Sequence, residues 1–594
     1  MKIMSFIRRH AAVLALLSVL SAAFAAPYMT PVNPDSAVFR SGALGLILLM
    51  GCFLPVREAL ERAGRRPLIA SLAFGYLFAL ALSLGSELFI YDGLLRGFGS
   101  LVRRMAVPVM AAPLFGGLCC RLALAKAPGE RKRPLRLPLW GYAGVIFLCW
   151  LPLLLAYYPG MLNYDFAGQY GQHVQSSYSS IHPLLHSAVM NSVIAVGDLL
   201  HSPTLGVLLY SLLQMAVFAV SLGYSCVFVQ RRGAPAFVLL GMTALYALHP
   251  IFSVMALSMT KDTLFAAAIL VLSLLAWELI EAPEAFLKNR KSCILCVFCA
   301  VNAALMRNNG VFALALLLPG MVAAARGYRK RTALLCAACV AACVATNGAL
   351  NLFLSPEDLP SFQLYSLPAQ QLVRAYNSGA MSEEDKADIV SWYTSEEGLI
   401  VHPHLADGAK GYLDRPRIQQ EGGKFLDLWR KHLGAHGHEY TEAFLMLNVG
   451  SWYPDDLSHS TIYPDASWND KGYLQTQEYD MTEYGIETTS FLPKVTHLFE
   501  RICRRNDYQE YPVISLLFGT ATPFWALMLA GTLLIARRQT RYIPALLGCM
   551  GLWLSYLFGP CTLPRYALPL FCLAPAALCM AMLLPARSRE GKDA

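Results

Sequence analysis

The chain has 594 residues, 56% of them hydrophobic and only 15% charged, with a formal net charge of +9. Soluble proteins carry about 25% charge, so the composition excludes an ordinary soluble enzyme. The basic balance requires no nucleic acid, because most Lys and Arg sit in short clusters between apolar runs, where they set topology.

Met1–Arg9 is basic, and the apolar run Ala11–Ala26 reads either as a cleaved signal peptide, with Ala23-Phe24-Ala25 as the small-residue site, or as a first membrane helix. Further apolar runs cover Ser41–Val56, Pro67–Phe89, Met105–Leu124, Leu139–Ala156, Leu205–Val229, Ala236–Met255, Thr263–Leu279, Cys293–Leu305, Val311–Ala325 and Thr332–Leu354. Val513–Ile535, Ile543–Phe558 and Tyr566–Leu584 complete about 14 spans. Basic clusters at Arg57–Arg66, Lys126–Arg136, Arg231/Arg232, Lys288–Lys291, Arg326–Arg331, Arg537–Arg541 and Arg587–Lys592 fall on one side, the inside. Arg103 and Arg104 are the pair that does not fit. Both termini are then expected in the cytoplasm.

The expected fold class is an all-α polytopic membrane protein in four parts. These are an N-terminal bundle over 1–137, a transmembrane module over 138–354 with an outer loop at 157–204, a mostly helical extracytoplasmic cap over 355–511, and C-terminal transmembrane helices over 512–594. Within the cap, Ser382-Glu383-Glu384-Asp385 reads as a capping box, and helices are expected over Phe425–Leu433 and Tyr440–Leu447. The Asp-rich tail from Ser451 through Asp455, Asp456 and Trp468-Asn469-Asp470 has no clear period.

Most of the 16 cysteines lie inside apolar runs and behave as small hydrophobes. Cys293, Cys296 and Cys299 look like the start of a metal motif, but no fourth ligand follows and helix packing explains the spacing. Cys503 and Cys561 fall in outer segments and leave room for one disulfide. His402/His404 and His436/His438 pair up in the cap, though loop spacing carries little metal signal. No phosphate loop, dinucleotide fingerprint or nucleophile elbow is present.

Four polar features gather on the outer face: the opening loop, the turn Ser258–Asp262, Arg307-Asn308-Asn309, and the long segment from Ser355 to about Tyr511, followed by Pro564-Arg565-Tyr566. Asp165, the one carboxylate of Tyr157–His186, serves either as a helix cap before Phe166 or as a base. Lys261 sits at a helix N-terminus, where a cation is unfavourable, and so is expected to face an anion or a carboxylate. Arg307 lies between two short apolar runs, either snorkelling or in a polar cavity. Arg565 opens the last helix. Lys261, Arg307 and Arg565 together have the chemistry of a phosphate grip.

The stretches PGMLNYDFAGQYGQ…IHPLLH, MTKDTLF, RNNG and RYALPL resemble the GT-C superfamily of membrane glycosyltransferases, closest to an uncharacterised bacterial branch of unknown function. The cap stretches SLPAQQLVRAYNSG, ADGAK and SWYP resemble the same branch, and the likeness covers roughly Leu139–Leu584. The resemblance implies a seven-helix module, for which the seven runs from Leu139 to Leu354 offer a match. It implies an inverting transfer of sugar from a polyprenyl-phosphate donor to an acceptor hydroxyl of an envelope glycan, lipid or protein, outside the plasma membrane. Asp165 would then be the general base, Lys261, Arg307 and Arg565 would hold the phosphate, and Asp262 would pair with Lys261 or bind a divalent cation such as Mg or Mn. Tyr164, Gln169, His182, Asn308 and Tyr566 are the candidates for substrate contacts. A transporter or flippase of a lipid-linked sugar is the alternative, and a non-catalytic envelope scaffold leaves the outward cations unexplained.

Overall fold

The helix Lys261–Glu281 is the axis of the molecule. It has no Gly or Pro after its first residue and is apolar on all faces, the pattern of a helix surrounded by others. In its most apolar stretch 83% of the residues are buried, against 17% for Arg329–Leu354 at the periphery. It packs against Pro203–Gln230, Arg290–Leu305 and Leu568–Leu583.

The computed structural model describes residues 2–29, 47, 50–125, 136–357, 362–454, 480–504 and 516–586. Half of the run at 41–56, Lys126, Arg131–Arg133, Asp455, Asp456, Trp468–Asp470, Tyr511, the start of the run at 513–535, Arg587, Arg589 and Lys592 lie outside the described residues. Among the described residues the architecture is all-α and polytopic, with isolated β-bridges but no strands. Eight helices among the described residues are long and apolar enough to cross a membrane, or nine if one bent pair is a single span.

That bent pair is the run at 236–255. It splits into Ala236–Leu248 and Pro250–Leu257, inclined at 48°. His249 between them is extended, at ψ 126°, because proline removes an amide donor and disfavours helical backbone in the residue before it. The short second piece ends at Ser258 and delivers the chain to Lys261. Gly310–Ala324 and Thr522–Ala536 are short apolar helices, and the run at 543–558 is a 3-10 turn followed by Leu547–Tyr556. The segment 157–204 also departs from a loop: it contains the helices Tyr164–Val174 and Leu184–Leu199.

The N-terminal bundle centres on Arg65–Tyr91 packed against Phe98–Leu124. Arg103 and Arg104, which break the charge alternation, both pair with the buried carboxylate of Glu87, at 3.0 and 2.7 Å. Their positive charge is met inside the protein, so the inside rule, which counts charges near span ends, does not govern them. At the opposite end Arg537 donates to carbonyls of Leu122, Ala123, Ala125, Met582 and Leu584. One guanidinium thus joins the closing turns of the first bundle to those of the last helix, where a cation is favoured.

The cap has its own core around Leu372, Val373, Ile389, Trp392, Phe425 and Tyr440. Ser382 caps Glu383–Val390 by accepting from the Asp385 amide at 3.2 Å, and the two later helices run Arg415–Leu433 and Gly437–Leu447. The cap sits on the first bundle. Arg96 pairs with Glu439, Arg374 pairs with Glu442 at 3.1 Å, and Glu442 also accepts from the Leu94 amide at 2.7 Å. At Gly85 an added Cβ would fall 2.2 Å from the Tyr453 ring, so that close approach requires glycine. Residues 480–504 pack differently from the cap core: Met481 and Ile486 join Leu162, Phe166 and Tyr170, and Thr489 bridges Tyr158.

Candidate active site

Asp165 stands in the first turn of Tyr164–Val174, but it does not cap it. Asn163 does, its Oδ1 accepting from the Phe166 amide at 3.0 Å while its Nδ2 donates to Ser258 Oγ at 3.0 Å. The Asp165 carboxylate is thereby left to the side chains around it. Main chain fixes where it stands: the Met161 amide donates to Leu257 O and the Met259 amide to Met161 O, both at 3.1 Å. This short parallel bridge ties the Asp165 segment to the turn that starts the Lys261 helix.

Lys261 Nζ lies 3.2 Å from Asp165 Oδ1, and Arg565 Nη1 2.9 Å from Oδ2. Arg565 also donates to the Tyr164 hydroxyl, and its Nη1 lies 3.7 Å from Asp262 Oδ2. Arg307 donates to the other oxygen of Asp262 and lies over the Tyr566 ring, 4.4 Å from its centre. The three cations expected from sequence therefore converge, and they face two carboxylates. Asp165, Asp262, Arg307 and Arg565 are all buried, and the surplus positive charge gives the cluster an affinity for an anion.

Arg307 is placed by a break in the helices. Arg290–Leu305 and Gly310–Ala324 have 16 and 15 residues, each about 24 Å or less, short of a bilayer core of about 30 Å. The turn between them is tight: the Gly310 amide donates to Arg307 O at 2.9 Å. A Cβ on Gly310 would sit 1.5 Å from Ala303 O, so only glycine fits.

Behind Asp165 is a buried polar network. Gln169 Nε2 donates to the Asp165 carbonyl at 3.1 Å, and its Oε1 accepts from His186 Nδ1 at 2.7 Å and from Ser187 Oγ at 2.9 Å. Tyr210 donates to His186 Nε2 at 2.9 Å, which fixes the imidazole as the neutral Nδ1–H form. Gln169 is thus occupied within the protein instead of facing a ligand. Tyr210 gave no sequence signal, lying inside an apolar run.

His182 Nδ1 is 3.9 Å from Asp165 Oδ1 and, among the described residues, has no hydrogen-bond partner although it is buried. Burial would raise the Asp165 carboxyl, but Lys261, Arg565 and His182 overcome it and hold the group well below the ordinary carboxylate range. Burial and the neighbouring Lys261 lower His182, against a smaller pull from Asp165. Asn308 is exposed and, among the described residues, no hydrogen bond joins it to the cluster; its neighbour Asn309 donates to Ser555 Oγ at 3.1 Å.

Asp262 does not fit a divalent cation. One oxygen is bonded to Arg307, the other faces Arg565, and the surrounding charge is positive. Lys261 pairs with Asp165. In the cap, His404 donates from Nδ1 to Met446 O at 3.0 Å and stacks on Phe89, while His438 lies 3.1 Å from Glu442. Cys503 and Cys561 are both buried and are not joined in a disulfide. Cys293, Cys296 and Cys299 lie along the helix Arg290–Leu305, the last two buried against its neighbours.

A family model described as a family of unknown function, DUF6020, matches residues 173–594. Lys261, Asp262, Arg307 and Arg565 fall within the match, and Asp165 precedes it. No curated protein and no solved structure matches the chain.

Proposed function

The chain belongs to the DUF6020 family, whose function is unknown, and from its own site we propose that it is an inverting membrane glycosyltransferase of GT-C type. In this reading it moves a sugar from a polyprenyl-phosphate donor to an acceptor hydroxyl on the cap side of the bacterial plasma membrane. The observation that carries the reading is a buried carboxylate, Asp165, held between Lys261 and Arg565 in a cluster whose three cations exceed its two carboxylates. Single-displacement transfer from a phosphate needs this pairing: a base for the attacking hydroxyl and fixed cations for the leaving group.

The acceptor oxygen attacks the anomeric carbon as the bond from that carbon to the phosphate oxygen breaks. The acceptor proton passes to Asp165, and the phosphate departs with the bonding pair. Lys261, Arg565 and Arg307 bind the phosphate oxygens and stabilise the charge that develops on them. Paired with two cations, Asp165 is a weak base. Donor phosphate competes for Lys261 and Arg565, so donor binding releases the carboxylate for its role. Tyr164, Tyr566 and His182 line the reacting end, and Gln169 acts by holding the first turn that carries Asp165.

The test is a deletion strain complemented with wild-type or Asp165→Asn protein, with envelope glycans and lipid-linked intermediates compared by mass spectrometry. The wild type restores the parental glycan, and the variant accumulates the charged donor. Full restoration by the variant sinks the assignment.

A further inference from the structure

Two cavities border the turn from the helix Gly310–Ala324 to the helix Arg329–Leu354: a basic one around the turn itself, at the end remote from Asp165, and an apolar one that runs from there along both helices. The first, about 960 Å³, is lined by Lys288, Arg326, Arg329, Lys330 and Arg331, with Glu284 as the one carboxylate. Glu284 is already engaged: it accepts from Lys288 at 2.6 Å and from the Tyr328 hydroxyl at 2.7 Å. Among the described residues no ion pair joins a carboxylate to Arg326, Arg329, Lys330 or Arg331. The second is a groove of about 470 Å³ with only apolar walls, including Ala304, Val311, Pro319, Val322, Ala333 and Ala337.

The two are arranged head to tail. Val322 is one turn before Arg326, and Ala333 one turn after Arg329. From Val311 to Val322 the groove extends about 16 Å, roughly half the 30 Å hydrocarbon core and so the depth of one leaflet. Topology explains cations at a helix end, but it does not call for a groove of small side chains leading away from them. The helix Arg329–Leu354 is only 17% buried along its most apolar stretch, so it stands open to lipid.

We propose that these cavities form a site for one anionic phospholipid of the leaflet remote from Asp165. Its phosphate and anionic headgroup sit among Arg326, Arg329, Lys330 and Arg331, and one acyl chain lies in the groove toward Val311. The site is independent of the transfer reaction.

Full-length protein purified in detergent is titrated with phosphatidylglycerol, or with phosphatidylcholine of the same chains, and retained lipid is read by native mass spectrometry. The wild type retains one phosphatidylglycerol and does not retain phosphatidylcholine. Arg329→Gln/Arg331→Gln lowers retention by about tenfold or more, from the attraction expected for two basic residues near anionic lipid. Ala337→Phe fills the groove, leaves every charge and the inside rule untouched, and also lowers retention. Equal retention of phosphatidylcholine overturns the proposal, as does unchanged retention in folded Ala337→Phe protein. Displacement of the lipid by inorganic phosphate at equal concentration overturns it in favour of a free-phosphate site. Asp165→Asn retains the lipid as wild type does, so this result stands or falls apart from the glycosyltransferase reading.

Discussion

Arg565 Nη1 lies 2.9 Å from Oδ2 of Asp165, 400 positions earlier in the chain. The start of the last helix thus closes on the segment 157–204, and Lys261 completes the contact on the other carboxylate oxygen. A buried carboxylate with a cation on each oxygen is stable and chemically quiet. The proposed transfer requires that something loosen the pair, and the surplus of positive charge favours an anion as the agent.

Asp165→Asn is expected to insert into the membrane and to lose transfer by about 10²–10⁴-fold, the range for removing a general base. Turnover normalised to folded protein, measured by mass spectrometry of the lipid-linked product, checks this. Gln169→Leu, which unties the buried network, is expected to lower turnover less, because the carboxylate remains.

Inorganic phosphate or pyrophosphate is expected to raise the melting temperature of the wild type. At ten times its dissociation constant a bound anion contributes about 1.4 kcal/mol. In Arg565→Gln the shift shrinks or vanishes, since that variant loses one of the cations while Asp165 still holds Lys261. A thermal shift of equal size in both proteins would falsify the cluster as the anion site.

Acid is expected to weaken the cap while the Asp165 carboxylate still keeps its charge. Burial holds His404 at about 4, below the ordinary histidine value of about 6.5. Above about pH 7 the native and unfolded states are both neutral there, and nothing is lost. As pH falls from about 6.5 toward 4, the unfolded chain takes up the proton and the native cap does not, withdrawing up to about 3 kcal/mol. Asp165 holds its stabilising charge until the pH drops below about 4 and through its own depressed value. His404→Asn keeps a donor for Met446 O and is expected to flatten the loss of melting temperature between pH 7 and 4.

Glu87→Gln is expected to destabilise the N-terminal bundle by about 3–5 kcal/mol, the range for breaking a buried ion pair by removing one partner. It leaves Arg103 and Arg104 without their carboxylate. Melting temperature reports the loss, and protease accessibility of the cap reports whether the released cations now pull that end of the bundle toward the other side.

Hydropathy and charge made the helical class, the separate cap and the gathering of Asp165, Lys261, Arg307 and Arg565 legible, because long apolar runs and isolated cations signal strongly in one dimension. Three things were hidden. Pro250 splits an apolar run whose hydropathy is continuous, so the break was invisible to a window average. Leu184–Leu199 is a helix inside what reads as an outer loop, being too short to register as a span. Asn163, not Asp165, caps the Tyr164 helix, a choice between neighbouring good caps that composition cannot make. Glu87 did leave a signal, a lone carboxylate near the end of an apolar run, and two arginines that defied alternation pointed to it.

The cap meets the membrane helices close to Arg565 as well. The Ala406 amide donates to Pro560 O at 2.7 Å, and Leu405 bridges Cys561, four residues before that arginine. A cap joined to the chain at this point works as a lever whose short arm ends in a guanidinium. In the proposed transfer, an acceptor that tilts the cap on docking shifts the cation that, among the described residues, touches both carboxylates, and so couples acceptor arrival to the leaving group.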